Sequence, residues 1–462
     1  MPSYFLPHGC DQESRALLAL LGIGGIATAI TVASPSLSLP ISTTAISDSP
    51  KEVIDQVWQI VYRDYLDPTG NYSPESWRKL RRDLLAHSYA GTEESYEAIR
   101  SLLASLDDPY TRFLEPREFK EMQIDTSGEL TGVGIQISLD NNSEIIVVSP
   151  IEGTPAFRAG VQPQDVIVSI DGQATWGMGT DEVVKMIRGK EGTAVLLGLR
   201  RKGQVVEVPL TRARIEIHAV DSQLNTTTGG IKVGYIRLKQ FNANAAREMR
   251  AAIDHLEQKE AQGYVLDLRS NPGGLLEASV DIARQWLDNG TIVSTQTRSG
   301  VQDTRRATGS ALTQKPAVVL VNEGSASASE ILSGALQDNG RAKLVGKKTF
   351  GKGLVQSVRS LADGSGLTVT VAKYLTPSGR DIHQNGISPD VEAGIPKDEA
   401  KTMTVKDLGT LQDSQYRIAE TTLIKALRMA EASRNQAYIP GSTNLASALI
   451  PERLDPSELI RR

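Results

Sequence analysis

The chemistry this chain can carry concentrates where the apolar run PAVVLVN passes directly into EGSASASEILSGALQDNG, a buried strand handing over to a helix through small residues. Small residues let other backbone approach closely. A hydroxyl in the first helical turn lies beside unpaired N–H groups and the positive end of the helix dipole, where an oxyanion is stabilised. Ser325, Ser327 and Ser329 compete for that role. Ser327 also has a plain structural reading, because with Glu330 it stands at the spacing of a capping box, in which the hydroxyl satisfies an N–H and does no chemistry.

A serine nucleophile needs a base, and the chain has only His8, His87, His218, His255 and His383. His8 precedes an apolar run, and His87 and His255 sit in polar helical sequence, which leaves His218 and His383 without a local motif. Lysine serves instead when burial favours its neutral form. In VGKKTFGKGLVQSV, Lys347 and Lys348 are adjacent and read as solvated, whereas Lys352 lies between two glycines ahead of an apolar strand. Strand alternation would place Lys352, Leu354 and Gln356 on one face, so that the Gln356 amide orients the amine; an outward polar residue is the equal alternative for Gln356.

Three further places have both readings. Asp338 follows Ser327 by eleven residues, about 16 Å along a helix, and is read as structural, near an Asn339-Gly340 stop. In LDLRSNPGGLLE, Gly273-Gly274 frees backbone N–H groups to face a ligand or simply makes a strand-to-helix turn; Asp267 and Arg269 read as an ordinary ion pair. Gly132, Val133, Gly134 and Ile135 open a strand and can present successive N–H groups to a chain-end carboxylate, with TDEVVKMIRG as the groove wall, or form a simple bend.

The elements that must position these residues divide the 462-residue chain into several domains. Helical spacing in PKEVIDQVWQIVYRDYLDP, SPESWRKLRRDLLAHS and TEESYEAIRSLLASL predicts an all-helical part over 48–126, with caps at Ser73 and Thr92. Short β-like runs separated by Gly, Pro and Asn-Asn predict a small β-rich domain over 127–215. Alternating strands and helices predict an α/β layered core over 216–395, and 396–462 reads as a helical tail with a separate amphipathic helix in QYRIAETTLIKALRMAEASRNQ. The fold class is α+β multidomain.

A balance of 50 Lys+Arg against 55 Asp+Glu, without a basic cluster, argues against nucleic acid as partner, and one cysteine, Cys10, excludes a disulfide framework or a Cys-rich zinc site. Residues 16–33 carry no charge and are read as an export signal or an uncleaved anchor within 1–47, Thr31-Val32-Ala33 resembling a cleavage site.

Together these segments resemble the carboxyl-terminal processing proteases, the tail-specific Ser/Lys peptidases, particularly their cyanobacterial and chloroplast branch. The resemblance runs from about 52 to 391 and rests on GELTGVGIQI, SPIEGTPAFRAGVQPQDVIVSIDG, VVKMIRGKEGT, DLRSNPGGLLEA, VNEGSASASEILSGALQDNGRA, GKKTFGKGLVQS and GISPDV in order. It implies a PDZ domain, a ClpP/crotonase-like protease core, and no metal, ATP or other cofactor. It also implies Ser327 as nucleophile, Lys352 as general base 25 positions later, Gln356 as the residue orienting it, and the amides of Gly273 and Ala328 as oxyanion hole. The loop of Gly132, Val133, Gly134 and Ile135 matches the carboxylate-binding loop, and Arg188 is a candidate for coupling peptide binding to the site.

The expected partners are protein substrates with free apolar C-termini, and the chain itself is expected to be exported to the periplasm or thylakoid lumen, soluble or membrane-anchored. Membrane association through 16–33 and an oligomer stay open. The branch points to the photosystem II reaction-centre precursor; general degradation, a non-catalytic PDZ scaffold, or a Ser/His/Asp esterase using His218 or His383 are the alternatives.

Overall fold

The structure, a computed structural model, describes residues 29–31, 50–140, 142–300 and 302–437. Ala29–Thr31 run as a strand parallel to Val355, Gln356 and Ser357; the rest of residues 16–33, expected as an export signal or anchor, lies outside the described residues, as does the tail beyond 437.

Val53, Ile54, Val57, Trp58 and Val61, spaced by three and four, form the buried face of α1 (Pro50–Asp64). Helix α2 (Pro74–Ala86) starts at the expected Ser73, whose hydroxyl accepts the N–H of Ser76. Trp58 and Trp77 each donate an indole N–H to the other's carbonyl, at 2.8 and 3.2 Å, which fixes α1 against α2. In α3 (Thr92–Ala104) the expected cap Thr92 is instead the first helical residue, after Gly91.

The all-helical reading of 48–126 needs correction. Arg112–Leu114 form a strand, β1, antiparallel to residues 366–368 of the α/β core, and the cluster holding α1–α3 together is completed by Phe113, Leu361, Leu367 and Val369. Three residues are too few to display a period of two, and their hydrogen-bond partners lie some 250 positions away. Helix α4 (Pro116–Ser127) follows and stops at Gly128, whose φ of 71° is the left-handed C-cap that glycine supplies.

The β-rich part is an antiparallel sheet in sequential order, β3 (Ile135–Leu139), β4 (Ile145–Pro150), β5 (Val166–Ile170), β6 (Ala194–Arg201) and β7 (Gln204–Thr211). Helix α5 (Thr180–Ile187) closes its core through Val183 and Ile187. Just outside this sheet, β2 (Glu129–Gly132) pairs with β8 (Ala213–Glu216).

The α/β core has two sheets with helices between them. One sheet has the order β9 (Val220–Thr226), β10 (Lys232–Leu238), β11 (Gly263–Asp267), β14 (Ala317–Val321), β15 (Ala342–Gly346), β18 (Val391–Glu392), parallel after its first pair. The other joins β12 (Thr291–Thr297) and β13 (Gln302–Arg306) to β16 (Leu354–Ser360) and β17 (Gly366–Leu375), with β1 on β17. Helices α6 (Ala245–Gln258), α7 (Leu276–Trp286) and α8 (Ala328–Asp338) share one core with both sheets.

Strand alternation gives β14 two apolar faces: Ala317, Val319 and Val321 join the helices, whereas Val318 and Leu320 face Tyr416, Ala419 and Leu423 of α9 (Ser414–Ala437). The C-terminal helix is therefore a layer of the core and not a separate element. Its entry is fixed by a buried cluster in which the Arg269 guanidinium meets Asp267 at 2.5 Å and Asp413 at 2.6 Å, and Tyr235 donates to Asp267 at 2.6 Å. The ordinary pair expected of Asp267 and Arg269 is thus a three-way junction. Burial alone raises the Asp267 pKa, but the Arg269 charge and its hydrogen bonds hold it below the usual carboxylate value.

Candidate active site

The strand-to-helix passage brings Ser325, Ser327 and Ser329 against the turn after β11. Ser325 Oγ donates to the Leu268 carbonyl at 2.8 Å and Ser329 Oγ to the Asn271 carbonyl at 2.9 Å. Ser327 Oγ is buried and bonds to nothing. Only half of the expected capping box involves a side chain: Glu330 accepts the Ser327 N–H at 2.9 Å, while the Glu330 N–H goes to the Ser327 carbonyl, which leaves the hydroxyl free. Ser327 holds φ 56°, ψ −113°, a strained conformation for a residue with a Cβ.

Glu330 ties the serine to the lysine. Besides Ser327 N–H it accepts from Thr349 Oγ1, from the Gly351 N–H at 2.8 Å and from the Lys352 N–H at 2.9 Å. Burial raises its pKa in spite of these donors. The Tyr374 hydroxyl bonds the carbonyls of both Ser327 and Lys352 and completes the clamp. The two glycines around Lys352 have a steric cause: a Cβ at Gly351 would meet the Gly386 nitrogen at 2.9 Å, and one at Gly353 the His383 nitrogen at 2.6 Å.

Lys352 is fully buried and its amine has no hydrogen-bond partner; the nearest aromatic face is that of Tyr110, 4.4 Å from Nζ to the ring centroid. Burial pushes its pKa down to about 7, helped by the Arg112 charge and partly opposed by Asp108 and Glu330. An amine of that kind is neutral for much of the time near neutral pH and can accept a proton.

Gln356 is fully buried too. Its Nε2 donates to Thr370 Oγ1 at 3.4 Å and its Oε1 is unbonded. The strand begins at Leu354 and carries a bulge between Val355 and Gln356, so Lys352 precedes the regular alternation that was expected to align the two. No hydrogen bond joins Gln356 to Lys352 in this conformation.

Gly273, at φ 102°, packs so tightly on the serine that a Cβ there would lie 2.9 Å from Ser327 Cβ and 3.0 Å from the Ala328 nitrogen. Its N–H donates to Asn271 Oδ1 at 2.9 Å; among the described residues the Ala328 N–H donates to no group. His383 borders the lysine loop with an unbonded Nδ1, whereas His218 is exposed and sits on Glu248 at 3.2 Å. Asp338, read as structural, accepts from Ser378 at 2.7 Å and pairs with Arg380.

In the β-rich part, the carbonyls of Val133 and Gly134 accept from the N–H groups of Ala156 and Ile151, and among the described residues the N–H groups of Val133 and Gly134 donate to no group. Gly134, at φ 80°, leaves no room for a Cβ, which would strike Thr154 at 2.3 Å. Ile135 begins β3, which α5 flanks, and Gly132 ends β2. Arg188 caps α5 and its charge acts on Asp125 of α4; Arg117 of α4 pairs with Asp181 of α5 at 3.0 Å.

The sequence reading missed Asp108, Tyr110, Thr370 and Tyr374. The motif DDPYTRFL, with its buried charge and aromatic between a helix stop and a strand, was the available signal for the first two.

The sequence profile of peptidase family S41 matches residues 232–393 and that of the PDZ domain residues 146–201. The chain is 45% identical to a carboxyl-terminal-processing protease of Synechocystis over 395 residues, 85% of this chain and 91% of that protein. It is 43% identical to the chloroplastic carboxyl-terminal-processing peptidase 2 of Arabidopsis thaliana, over 74% of this chain and 69% of the relative. A solved photosystem II D1 C-terminal processing protease superimposes with a TM-score of 0.52 at 37% identity, covering 80% of this chain and 98% of that one. The chain belongs to peptidase family S41, among the carboxyl-terminal-processing serine proteases that join a PDZ domain to the protease core.

Proposed function

We propose that Ser327 is the nucleophile and Lys352 the general base of this protease. Neutral Lys352 takes the Ser327 Oγ proton as the oxygen attacks the scissile carbonyl, and the resulting ammonium returns a proton to the departing amine. Water, deprotonated by the same amine, then releases the acyl group and restores the hydroxyl. The N–H groups of Gly273 and Ala328 stabilise the oxyanion, and Gln356 accepts from the amine so that its lone pair faces the serine.

One observation carries this reading: where Ser325, Ser329 and Glu330 are all hydrogen bonded, the Ser327 hydroxyl and the Lys352 amine are buried and unbonded. Both groups are sealed from solvent, and the Gly273 N–H is held by Asn271, so substrate entry has to move a neighbouring segment and release that amide. The N–H groups along Gly132, Val133, Gly134 and Ile135 receive the substrate's terminal carboxylate, and Arg188 links that groove to α4. The substrate is an exported protein with an apolar C-terminus, the photosystem II reaction-centre precursor in the thylakoid lumen being the one that the similar D1 processing protease suggests. Residues 16–33 direct export and are the candidate membrane contact.

The test is mass spectrometry of a peptide with an apolar free C-terminus after incubation with wild type, Ser327→Ala or Lys352→Ala. Cleavage by wild type alone, lost on amidation of the peptide, is the expected result. Cleavage by both variants at the wild-type rate would overturn the site assignment, and binding without cleavage by wild type would favour the PDZ scaffold.

A further inference from the structure

The segment between α3 and β1 reaches the catalytic centre from the helical region. Asp108 is 5% exposed, and its carboxylate is surrounded by donors: Thr111 Oγ1 and Thr370 Oγ1 each reach Oδ2 at 2.7 Å, and the Tyr110 N–H reaches Oδ1 at 3.0 Å. The Thr370 hydroxyl is at the same time 3.4 Å from Gln356 Nε2. We propose that Asp108, acting through Thr370, is a positioning residue that fixes which end of the Gln356 amide faces Lys352; this rests on the Ser/Lys reading above.

The reasoning is an account of protons. A threonine hydroxyl has one hydrogen to donate and two lone pairs. With that hydrogen committed to a carboxylate, which only accepts, Thr370 can offer Gln356 nothing but lone pairs. Gln356 must then present its NH2 end to Thr370, and its carbonyl oxygen becomes the free end of the amide. That oxygen, the Lys352 amine and the Ser327 hydroxyl are all buried and unbonded, and Asp108, to which Thr370 donates, lies near enough to Lys352 for its charge to act on the amine. A carbonyl facing the amine accepts an N–H and leaves the nitrogen lone pair for the serine proton. The flipped amide would offer N–H to the lone pair and block it.

The charge of Asp108 has a separate effect. The groups around Lys352 are Arg112, Asp108, Glu330, Tyr110, Tyr374 and His383, and of these Asp108 and Glu330 favour the ammonium while Arg112 opposes it. Orientation and charge can therefore be separated by substitution. Thr370→Val removes the relay and keeps the anion; Asp108→Asn removes the anion and, through its own NH2, frees the Thr370 proton to reverse the amide.

The experiment measures kcat, KM and the pH profile of kcat/KM for the full chain acting on the apolar-ended peptide. Thr370→Val is expected to lower kcat about tenfold or more with KM little changed and the acidic limb unmoved, and Thr370→Ser to recover most of the loss. Asp108→Asn is expected to lose kcat similarly while its acidic limb moves to lower pH. In a Gln356→Ala background neither substitution should add a further loss, because there is no amide left to orient. Retention of kcat within about twofold by Thr370→Val, failure of Thr370→Ser to recover, or losses that multiply with Gln356→Ala would overturn the inference. If Lys352→Ala is itself as active as wild type, the Ser/Lys reading fails; if that variant is inactive while Thr370→Val is unimpaired, only the positioning role fails.

Discussion

Two groups of buried charge lie in one protease core and behave oppositely. Around Arg269 every partner is present: Asp267, Asp413 and Gln415 accept from the guanidinium, Tyr235 donates to Asp267, and the cluster fastens α9 to the sheet. Around Lys352 the amine, the Ser327 hydroxyl and one end of Gln356 are buried without hydrogen-bond partners. Satisfied buried charge holds a fold in one arrangement, whereas unsatisfied buried polar groups cost stability and stay available to react. Glu330 stands between the two kinds, fully bonded, yet using its bonds to hold the backbones of Ser327 and Lys352 in place.

The contrast predicts a division of effects. Ser327→Ala should abolish peptide cleavage, a loss of roughly 10⁴-fold or more in kcat, while its melting temperature should equal or exceed that of wild type, because no hydrogen bond is lost and an unsatisfied buried hydroxyl is removed. Arg269→Met should do the reverse: it strands two buried carboxylates and should cost about 3–5 kcal/mol in stability, read by denaturant or thermal unfolding. A soluble, fully stable Arg269→Met protein would break the distinction.

Lys352→Met sharpens it further. The folded-state pKa of Lys352, about 7, lies below that of an unfolded lysine, so between these values the unfolded chain binds the additional proton and stability rises with pH. The burial penalty is therefore greatest at and below neutral pH, and Lys352→Met should melt higher than wild type there, by an amount that shrinks as pH rises towards the ordinary lysine value. The smallest effect is expected at the surface. Removing the exposed Arg117–Asp181 pair with Arg117→Ala should change stability by less than about 1 kcal/mol, and any larger change in peptide affinity would mark α4 as coupled to the PDZ groove.

Much of this was legible in the sequence because the signals were local. The strand-turn-helix run at Ser327, the glycine-flanked Lys352 and the three changes of periodicity are contained in short windows. What separates Ser327 from Ser325 and Ser329 is not local: the carbonyls that engage the other two belong to Leu268 and Asn271, more than fifty positions earlier. The same holds for Tyr110 beside Lys352 and for β1, whose apolar Phe113 and Leu114 belong to a sheet built mostly from the far end of the chain. Alternation could not place Gln356 either, since a bulge interrupts the strand between it and the lysine.

Whether the buried Lys352, with a pKa pushed down to about 7, activates Ser327 is read from the pH dependence of kcat/KM for wild type and Lys352→Ala on one apolar-ended peptide. The wild-type rate should rise through about pH 7 to a mildly alkaline plateau, and the variant should show no measurable cleavage. A flat profile, a limb in the carboxylate range, or the wild-type profile reproduced by Lys352→Ala would contradict it.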